Sequence, residues 1–328
     1  MAIISKNLLQ DYPDITENFI LNIGNFDGIH IGHQKILSST FDIASKKEYK
    51  RVLITFCNKP AALFESNFIN TQIFPVKQKI NYFEKMGIDY IFIFEFNSEL
   101  RNLTAEQFLN FLSSNKYLKE IVVGENFVFG KDKKGNIELL RRYFEFKNTI
   151  INSVPLLFEK GQLISSTMIR QHIISGDLSI NQYLIEPFYI IGLVEAGKHH
   201  GSLIQFPTAN IYIYDQIRPK SAVYATITKY KIDDSDEYEY NYSMTYIGEN
   251  GEIETHIFDK SLDLYNKEIQ VYFIKYMRDN IKIESLSHLN YVLKKDKEDI
   301  LKYFYCFFGN KLEAKEFINN IKRSIINV

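Results

Sequence analysis

The sequence predicts an α/β chain in two parts: a doubly wound parallel sheet, then an antiparallel sheet or small barrel followed by helices. Three observations predict it. Short β-branched or aromatic runs alternate with amphipathic stretches over the first half. From residue 188 the runs instead alternate in polarity and are separated by turn residues. The length, 328 residues, is about two domains at ~150 residues each.

In the first half the strand runs are 19–23, 51–56, 88–96 and 120–123. Helical stretches begin near His33, span 76–86, and begin again at Thr104 and Ile137. This rhythm implies parallel strands joined by crossovers, with both faces covered and ligands at the carboxyl ends of the strands. In the second half six runs, 188–196, 208–213, 222–230, 237–247, 252–258 and 268–275, read as antiparallel strands. The acidic stretch 233–239 is a hairpin tip. Two helical stretches follow, and the second, 311–325, places Leu312, Phe317, Ile318 and Ile321 near helical spacing for packing on the sheet. Pro187 stops a preceding helix, so the boundary is expected at 183–187, giving domains 1–185 and 186–328.

Lys+Arg 39 against Asp+Glu 40 leaves a net charge of -1, without the basic footprint of a general nucleic-acid binder. No apolar run approaches the ~20 residues that span a bilayer, and no secretory signal is seen, so the expected compartment is the cytoplasm. Cys57 and Cys306 match no metal-ligand or redox spacing and are expected to be reduced. The expected partners are small molecules, with no nucleic acid and no membrane, and the chain is expected to be a monomer or a weak homo-oligomer.

The most informative segment is GNFDGIHIGHQKIL, residues 24–37, directly after the first run. Gly24 and Gly28 allow a sharp turn and close approach to a ligand, and a helix starting around Gly32 aims free amides at the same point. His30 and His33 can donate to phosphate oxygens as charge develops on them, which suits phosphoryl or nucleotidyl transfer. A metal site would want a third ligand, and only Asp27 is near. The tetrapeptide His30-Ile31-Gly32-His33 resembles the nucleotidyltransferase superfamily signature. A second phosphate element fits at Ser165, Ser166 and Thr167, whose hydroxyls stand before a helix, with Arg170 one turn on. In the second half, Thr208 and Asn210 of FPTANI alternate to one face, where a hydroxyl and an amide suit Mg²⁺ and phosphate.

With 122–136 (VVGENFVFGKDKKGN) and 164–178 (ISSTMIRQHIISGDL), these landmarks are similar in order and spacing to the bifunctional riboflavin kinase/FMN adenylyltransferase family, the prokaryotic FAD synthetases. The resemblance covers about residues 15–300. It implies a nucleotidyltransferase domain that joins FMN to the AMP part of ATP and releases pyrophosphate, and a β-barrel riboflavin kinase domain that uses MgATP. It implies that His30 and His33 stabilise the α-phosphate, that Gly24, Asn25, Phe26 and Asp27 hold the nucleotide, and that Ser165, Ser166, Thr167 and Arg170 take its outer phosphates. Asn126, Phe127 and Phe129 would meet the flavin. In the kinase, Gly197, Gly201, Thr208 and Asn210 would bind ATP, Thr208 and Asn210 the metal, Glu254 would be the catalytic base and Arg278 would lie on the flavin side.

The chain departs from the family pattern in places. Asn126-Phe127-Val128 stands for Asp-Phe-Arg and Asn58-Lys59-Pro60 for a Pro-His-Pro-like turn. Ser202, Gln205 and Ala222 replace a basic residue and two glycines, the loop after Gly248 is shortened, and Glu186-Pro187-Phe188 replaces an arginine-containing turn. The alternatives are an FMN adenylyltransferase whose barrel no longer phosphorylates and a non-enzymatic flavin or nucleotide sensor.

Overall fold

The computed structural model describes residues 3–5, 15–57, 72–95, 97–195, 206–213, 215–233, 235–260, 262–308 and 313–326. The chain divides into two compact units, Met1–Ser166 and Thr167–Val328.

In chain order the first unit holds β1 (Ile3–Ser5), β2 (Phe19–Ile23), α1 (Ile31–Lys47), β3 (Lys50–Phe56), α2 (Val76–Met86), β4 (Tyr90–Phe94), α3 (Ser98–Asn102), α4 (Ala105–Ser113) and β5 (Leu118–Gly124). A short hairpin β6 (Val128–Phe129) and β7 (Gly135–Asn136) follows, then α5 (Ile137–Phe144), β8 (Ile150–Val154) and a second hairpin, β9 (Phe158–Glu159) and β10 (Gln162–Leu163). Six strands form one parallel sheet in the order β1-β4-β3-β2-β5-β8. Each strand of β2 through β5 is buried on both faces, as crossover helices require. Phe19, Leu21, Val52, Ile54, Ile121 and Val123 pack on Phe108 and Leu112 of α4 and Leu140 of α5. Ile20 and Val122 pack on Ala44 and Ile36 of α1 across the other face.

Local signals set the helix ends. Thr104 caps α4 in a reciprocal box with Gln107, and α2 stops at Gly87 in the left-handed region, φ 85°. The chain leaves β2 toward β3 and later returns to lay β5 on the other side of β2, so the topological switch point lies between β2 and β5. The loops after these two strands flank the crevice where this class of sheet binds ligands.

The second unit contains α6 (Ser166–Ser175) and a 3-10 segment Leu178–Tyr183. A closed antiparallel barrel follows: β11 (Tyr189–Glu195), β12 (Ala209–Ile213), β13 (Val223–Lys231), β14 (Tyr238–Ile247), β15 (Ile253–Ile257) and β16 (Glu268–Arg278), in the order β11-β12-β15-β14-β13-β16. The amide of Asn181 ties the 3-10 segment to the barrel by donating to the Phe273 carbonyl at 2.8 Å and accepting from the Phe188 N–H at 2.8 Å. That is why the compact units divide at 166/167 while the composition changes some twenty residues later. α7 (Leu286–Phe308) and α8 (Ala314–Ile326) complete the unit. Phe304 of α7 stacks on Tyr242 of β14 at 4.3 Å and meets Phe317 of α8 at 5.3 Å. Lys311 and Leu312, placed in the last helix by their spacing, lie outside the described residues. One face of β13, β14 and β15 is polar inside the barrel: Thr226, Thr228, Ser243, Thr245 and Thr255 are buried and joined by hydrogen bonds of 2.8–2.9 Å.

Candidate active sites

The first cluster grows from the carboxyl end of β2. Phe26 (φ 49°), Gly28 (φ 82°) and Ile29 (φ 39°) are all left-handed. Glycine takes this conformation freely, whereas a β-branched residue there is strained and persists only where its surroundings hold it. Here the surroundings are specific. Phe26 is buried against Phe83 at 5.8 Å and His33 at 5.2 Å. The Asp27 carboxylate accepts the N–H groups of Ile73 (2.8 Å) and Phe74 (3.2 Å), and the Asp27 carbonyl accepts the Ser166 hydroxyl at 2.8 Å. Phe26 and Asp27 thus shape the loop from inside, while Gly24 and Asn25 are its partly exposed members.

His30 is the residue before α1, and its side chain makes no cap bond, so it leaves the first-turn amides to another acceptor. The rings of His30 and His33 stack with centroids 3.7 Å apart at 22°. A Cβ on Gly32 would stand 3.1 Å from Nδ1 of His30, so glycine there lets the ring keep its place. Ser165 is half-buried ahead of α6; Thr167 and Arg170 follow on α6 itself, exposed and half-buried.

One residue of this cluster escaped the sequence reading. Lys79 of α2 is 1% exposed. Its ammonium lies 2.9 Å from the Asn25 carbonyl, 3.3 Å from Asn25 Oδ1, 3.1 Å from the Phe56 carbonyl and 3.5 Å from Thr55 Oγ1. A buried ammonium is tolerated only with such a shell of oxygens, and it binds the ends of β2 and β3 together. The available signal was its phase: Lys79 lies four residues before Phe83 on the buried face of α2.

Across the switch point, Asn126 is exposed and Phe127 is half-buried after β5. Phe129, expected beside them, is 7% exposed, and its ring packs on Phe108 at 5.3 Å and Phe127 at 5.5 Å. Neighbours on a strand face opposite ways, so with Phe129 inward it is Val128 that is exposed.

The second cluster lies on the outer face of the barrel. Asn210 of β12 and Glu254 of β15 are register partners, and the Thr208 hydroxyl lies within 3.4 Å of Glu254 Oε2. Thr208, Glu254 and Arg278 line one cavity of 240 Å³, with Met244, Tyr246 and His256 on the barrel side and Leu289, Leu293 and Asp296 on α7. Arg278 is held bidentately by Asp296, Nε to Oδ1 at 2.8 Å and Nη2 to Oδ2 at 2.5 Å, a fork-to-fork pair that pins α7 across the cavity. Burial, then the carboxylates of Glu252, Glu254 and Glu249, push the Tyr246 phenol up, so it stays protonated beside Glu254. Thr208 also lines a second cavity of 100 Å³ with Pro207, Ala209, Thr255, Lys260 and Tyr265. It therefore stands in the wall between an apolar-lined cavity and a smaller neighbouring one. Gly197 and Gly201 lie outside the described residues.

Sequence reasoning did not find His256, Tyr246 or Asp296, because each meets the site through strand register or helix packing rather than through a local motif. A larger hollow of 610 Å³ is lined by Lys231, Asp236, Lys267 and Asp233 and contains none of the predicted residues. Its charges are paired, Lys231 with Asp236 at 2.9 Å and Lys267 with Asp233 at 2.7 Å. Among the described residues no group of three His, Cys, Asp or Glu side chains could hold a metal.

Comparison with known proteins covers both units. A family model described as FAD synthetase matches residues 12–168, and one described as riboflavin kinase matches residues 184–304. Bifunctional riboflavin kinase/FMN adenylyltransferases are similar along nearly the whole chain. That of Buchnera aphidicola subsp. Schizaphis graminum is 31% identical over 90% of this chain and 97% of its own length. That of Escherichia coli (strain K12) is 30% identical over 88% and 93%. A crystal structure described as a macrolide-efflux protein from Streptococcus pneumoniae is similar with a TM-score of 0.80 and 28% identity, covering 90% of this chain and 98% of that one. With both models in order and relatives matched almost end to end, the chain belongs to the bifunctional riboflavin kinase/FMN adenylyltransferase family.

Proposed function

We propose that the family's two reactions run on two separate sets of residues in this chain: riboflavin is phosphorylated to FMN at the barrel cluster, and FMN is adenylylated to FAD at the β2–α1 cluster. The observation that carries this reading is that the β2–α1 cluster and the Thr208–Glu254 cluster are built from different residues on different elements. An adenylyltransferase lacking the kinase finds no support, since the riboflavin kinase model matches and Thr208, Asn210 and Glu254 stand together. Nor does efflux, since no helix among the described residues is long and apolar enough to cross a membrane.

In the adenylyl transfer, an oxygen of the FMN phosphate attacks the α-phosphorus of ATP as the bond to the β-phosphate oxygen breaks and pyrophosphate leaves. The nucleophile is already ionised, so no base is required and catalysis is positioning and charge stabilisation. His30, His33 and the first amides of α1 donate to the α-phosphate oxygens. Gly24 and Asn25 hold the nucleotide on the loop shaped by Phe26 and Asp27. Ser165, Ser166, Thr167 and Arg170 take the outer phosphates, and for that reason we keep residues 167–185 functionally with the first domain. Asn126 and Phe127 meet the flavin.

In the kinase reaction, Glu254 accepts the proton of the riboflavin 5′-hydroxyl as that oxygen attacks the γ-phosphorus and ADP leaves. Thr208 and Asn210 fit Mg²⁺: both offer hard oxygens, and the Thr208 proton directed at Glu254 leaves lone pairs for a cation. When bound, Mg²⁺ supplies charge neutralisation on the phosphates. The 240 Å³ cavity would take the flavin, with Arg278 fixed in its wall. Both reactions draw on ATP and free flavin, which makes the cytoplasm the proposed compartment and a monomer or weak homo-oligomer the proposed state.

The test is to incubate flavin-free protein with ATP, Mg²⁺ and either riboflavin or FMN and to separate the flavins by chromatography. FAD from both is expected. FAD from FMN alone would overturn the kinase assignment, and FAD from neither would leave a sensor.

A further inference from the structure

Resting on the assignment of Thr208 and Glu254 to the kinase site, we propose that His256 is a positioning residue for phosphoryl transfer: it grips the Pro207 carbonyl and so sets where the Thr208 hydroxyl stands relative to Glu254.

His256 is two residues beyond Glu254 on β15, so both side chains leave the same face of the strand. The imidazole is 6% exposed, and its Nδ1 lies 2.8 Å from the Pro207 carbonyl oxygen. A carbonyl only accepts, so Nδ1 carries the proton and the tautomer is fixed. Phe206 at 4.9 Å and Phe258 at 5.7 Å wall the ring in. Burial first, and then Lys297, hold the imidazole below its ordinary pKa against the opposing effects of the Pro207 bond and Asp259. Burial thus favours the neutral ring.

The grip matters because the strand ladder stops short of the residues that need it. Pairing of β12 with β15 begins at Ala209 opposite Thr255. Thr208 lies one position outside that ladder, and Pro207 has no N–H with which to extend it. The side chain of His256 continues the pairing by one hydrogen bond. It anchors Phe206-Pro207-Thr208 to the strand that carries Glu254, and a misplacement of about 1 Å in such a site can cost ~100-fold in rate.

The test uses three full-length variants. His256→Leu removes the donor at similar bulk, His256→Asn keeps an N–H where Nδ1 stands, and His256→Gln places its N–H further out. Riboflavin phosphorylation in His256→Leu should fall about 10- to 100-fold in kcat with the riboflavin KM little changed, while circular dichroism shows the barrel still folded and FMN adenylylation by the same sample is unchanged. His256→Asn should recover most of the rate and His256→Gln little of it. Full kinase rate in His256→Leu would overturn the proposal, and so would equal loss in His256→Leu and His256→Asn, which would mean that the ring itself is needed. Should His256→Leu fail to fold, equal rates for the Asn and Gln variants would overturn it and a clear advantage for Asn would support it. Thr208→Ala and Glu254→Gln serve as references. If both keep kinase activity the site assignment has failed; if both lose it and His256→Leu does not, only the role of His256 has.

Discussion

Under the proposed function, the two phosphate-handling clusters are built from different materials. In the first, the donors are backbone amides at the start of α1 and two stacked imidazoles, set by a strained loop that Phe26, Asp27 and Lys79 hold from beneath. In the second, the groups are side chains at a strand pair: Asn210 and Glu254 meet because β12 and β15 are in register, and Thr208 stands one position outside that ladder, within 3.4 Å of Glu254. The difference follows from the chemistry. Adenylyl transfer starts from an ionised phosphate and needs only fixed positive dipoles, which a helix start supplies. Phosphorylating an alcohol also needs an acceptor for its proton, and a carboxylate on a stiff strand supplies that.

The comparison breaks if one substitution silences both reactions in a folded protein. Glu254→Gln should reduce riboflavin phosphorylation by about 10²- to 10⁴-fold and leave FMN adenylylation intact, measured as FMN and FAD formed by one sample. His33→Ala should do the reverse, lowering adenylyl transfer by roughly 10²- to 10³-fold with kinase rate unchanged. Lys79→Met sharpens the point. It strips the ammonium's hydrogen bonds from the Asn25 and Phe56 carbonyls, although the Thr55 hydroxyl stays on the Asn25 carbonyl at 3.1 Å, and the loss should come to about 1–3 kcal/mol in all. Denaturant unfolding should show the first unit destabilised and its adenylyl transfer weakened, with riboflavin phosphorylation spared. The smallest effect concerns pH. His256 binds its proton less readily folded than unfolded, so the unfolded chain takes up protons first as pH falls below the ordinary value of 6.5. Stability of the second unit should drop through that window toward the depressed folded pKa, and His256→Asn should flatten the slope relative to wild type.

Much of this was legible from local sequence. β2 (Phe19–Ile23), α2 (Val76–Met86), the start of α5 at Ile137 and all six barrel strands follow from periodicity, and the hairpin tip between β13 and β14 from its acidic turn. β1 and β8 did not, because an edge strand such as β8, with Asn152 and Ser153 in its middle and Ile150 exposed, has no apolar pattern to read. The strand at Tyr90–Phe94 is shorter than the apolar run 88–96 because the Ile88 N–H still closes the end of α2, donating to the Phe83 carbonyl at 3.0 Å. The histidine loop was visible because its chemistry is contiguous. Lys79 was hidden in a helix, and His256 and Asp296 become site residues only once register and helix packing bring them there. The burial of Phe129 was not legible, because an aromatic after a strand looks the same in sequence whether it is exposed or packed in the core.

The hydroxyls inside the barrel bear on how the second unit folds. A two-residue slip of β14 along β13 would keep every apolar side chain on its proper face, so hydrophobic burial alone hardly distinguishes the slipped hairpin from the native one. Ser243 and Thr245 answer to Thr226 and Thr228, and Thr245 to Thr255. A slip that sets Thr226 opposite Asn241 would leave hydroxyls unmatched inside the barrel at about 1–3 kcal/mol each, whereas the opposite slip would still set Thr226 and Thr228 against Thr245 and Ser243. The hydroxyl network therefore guards the hairpin register against a slip in one direction and not in the other.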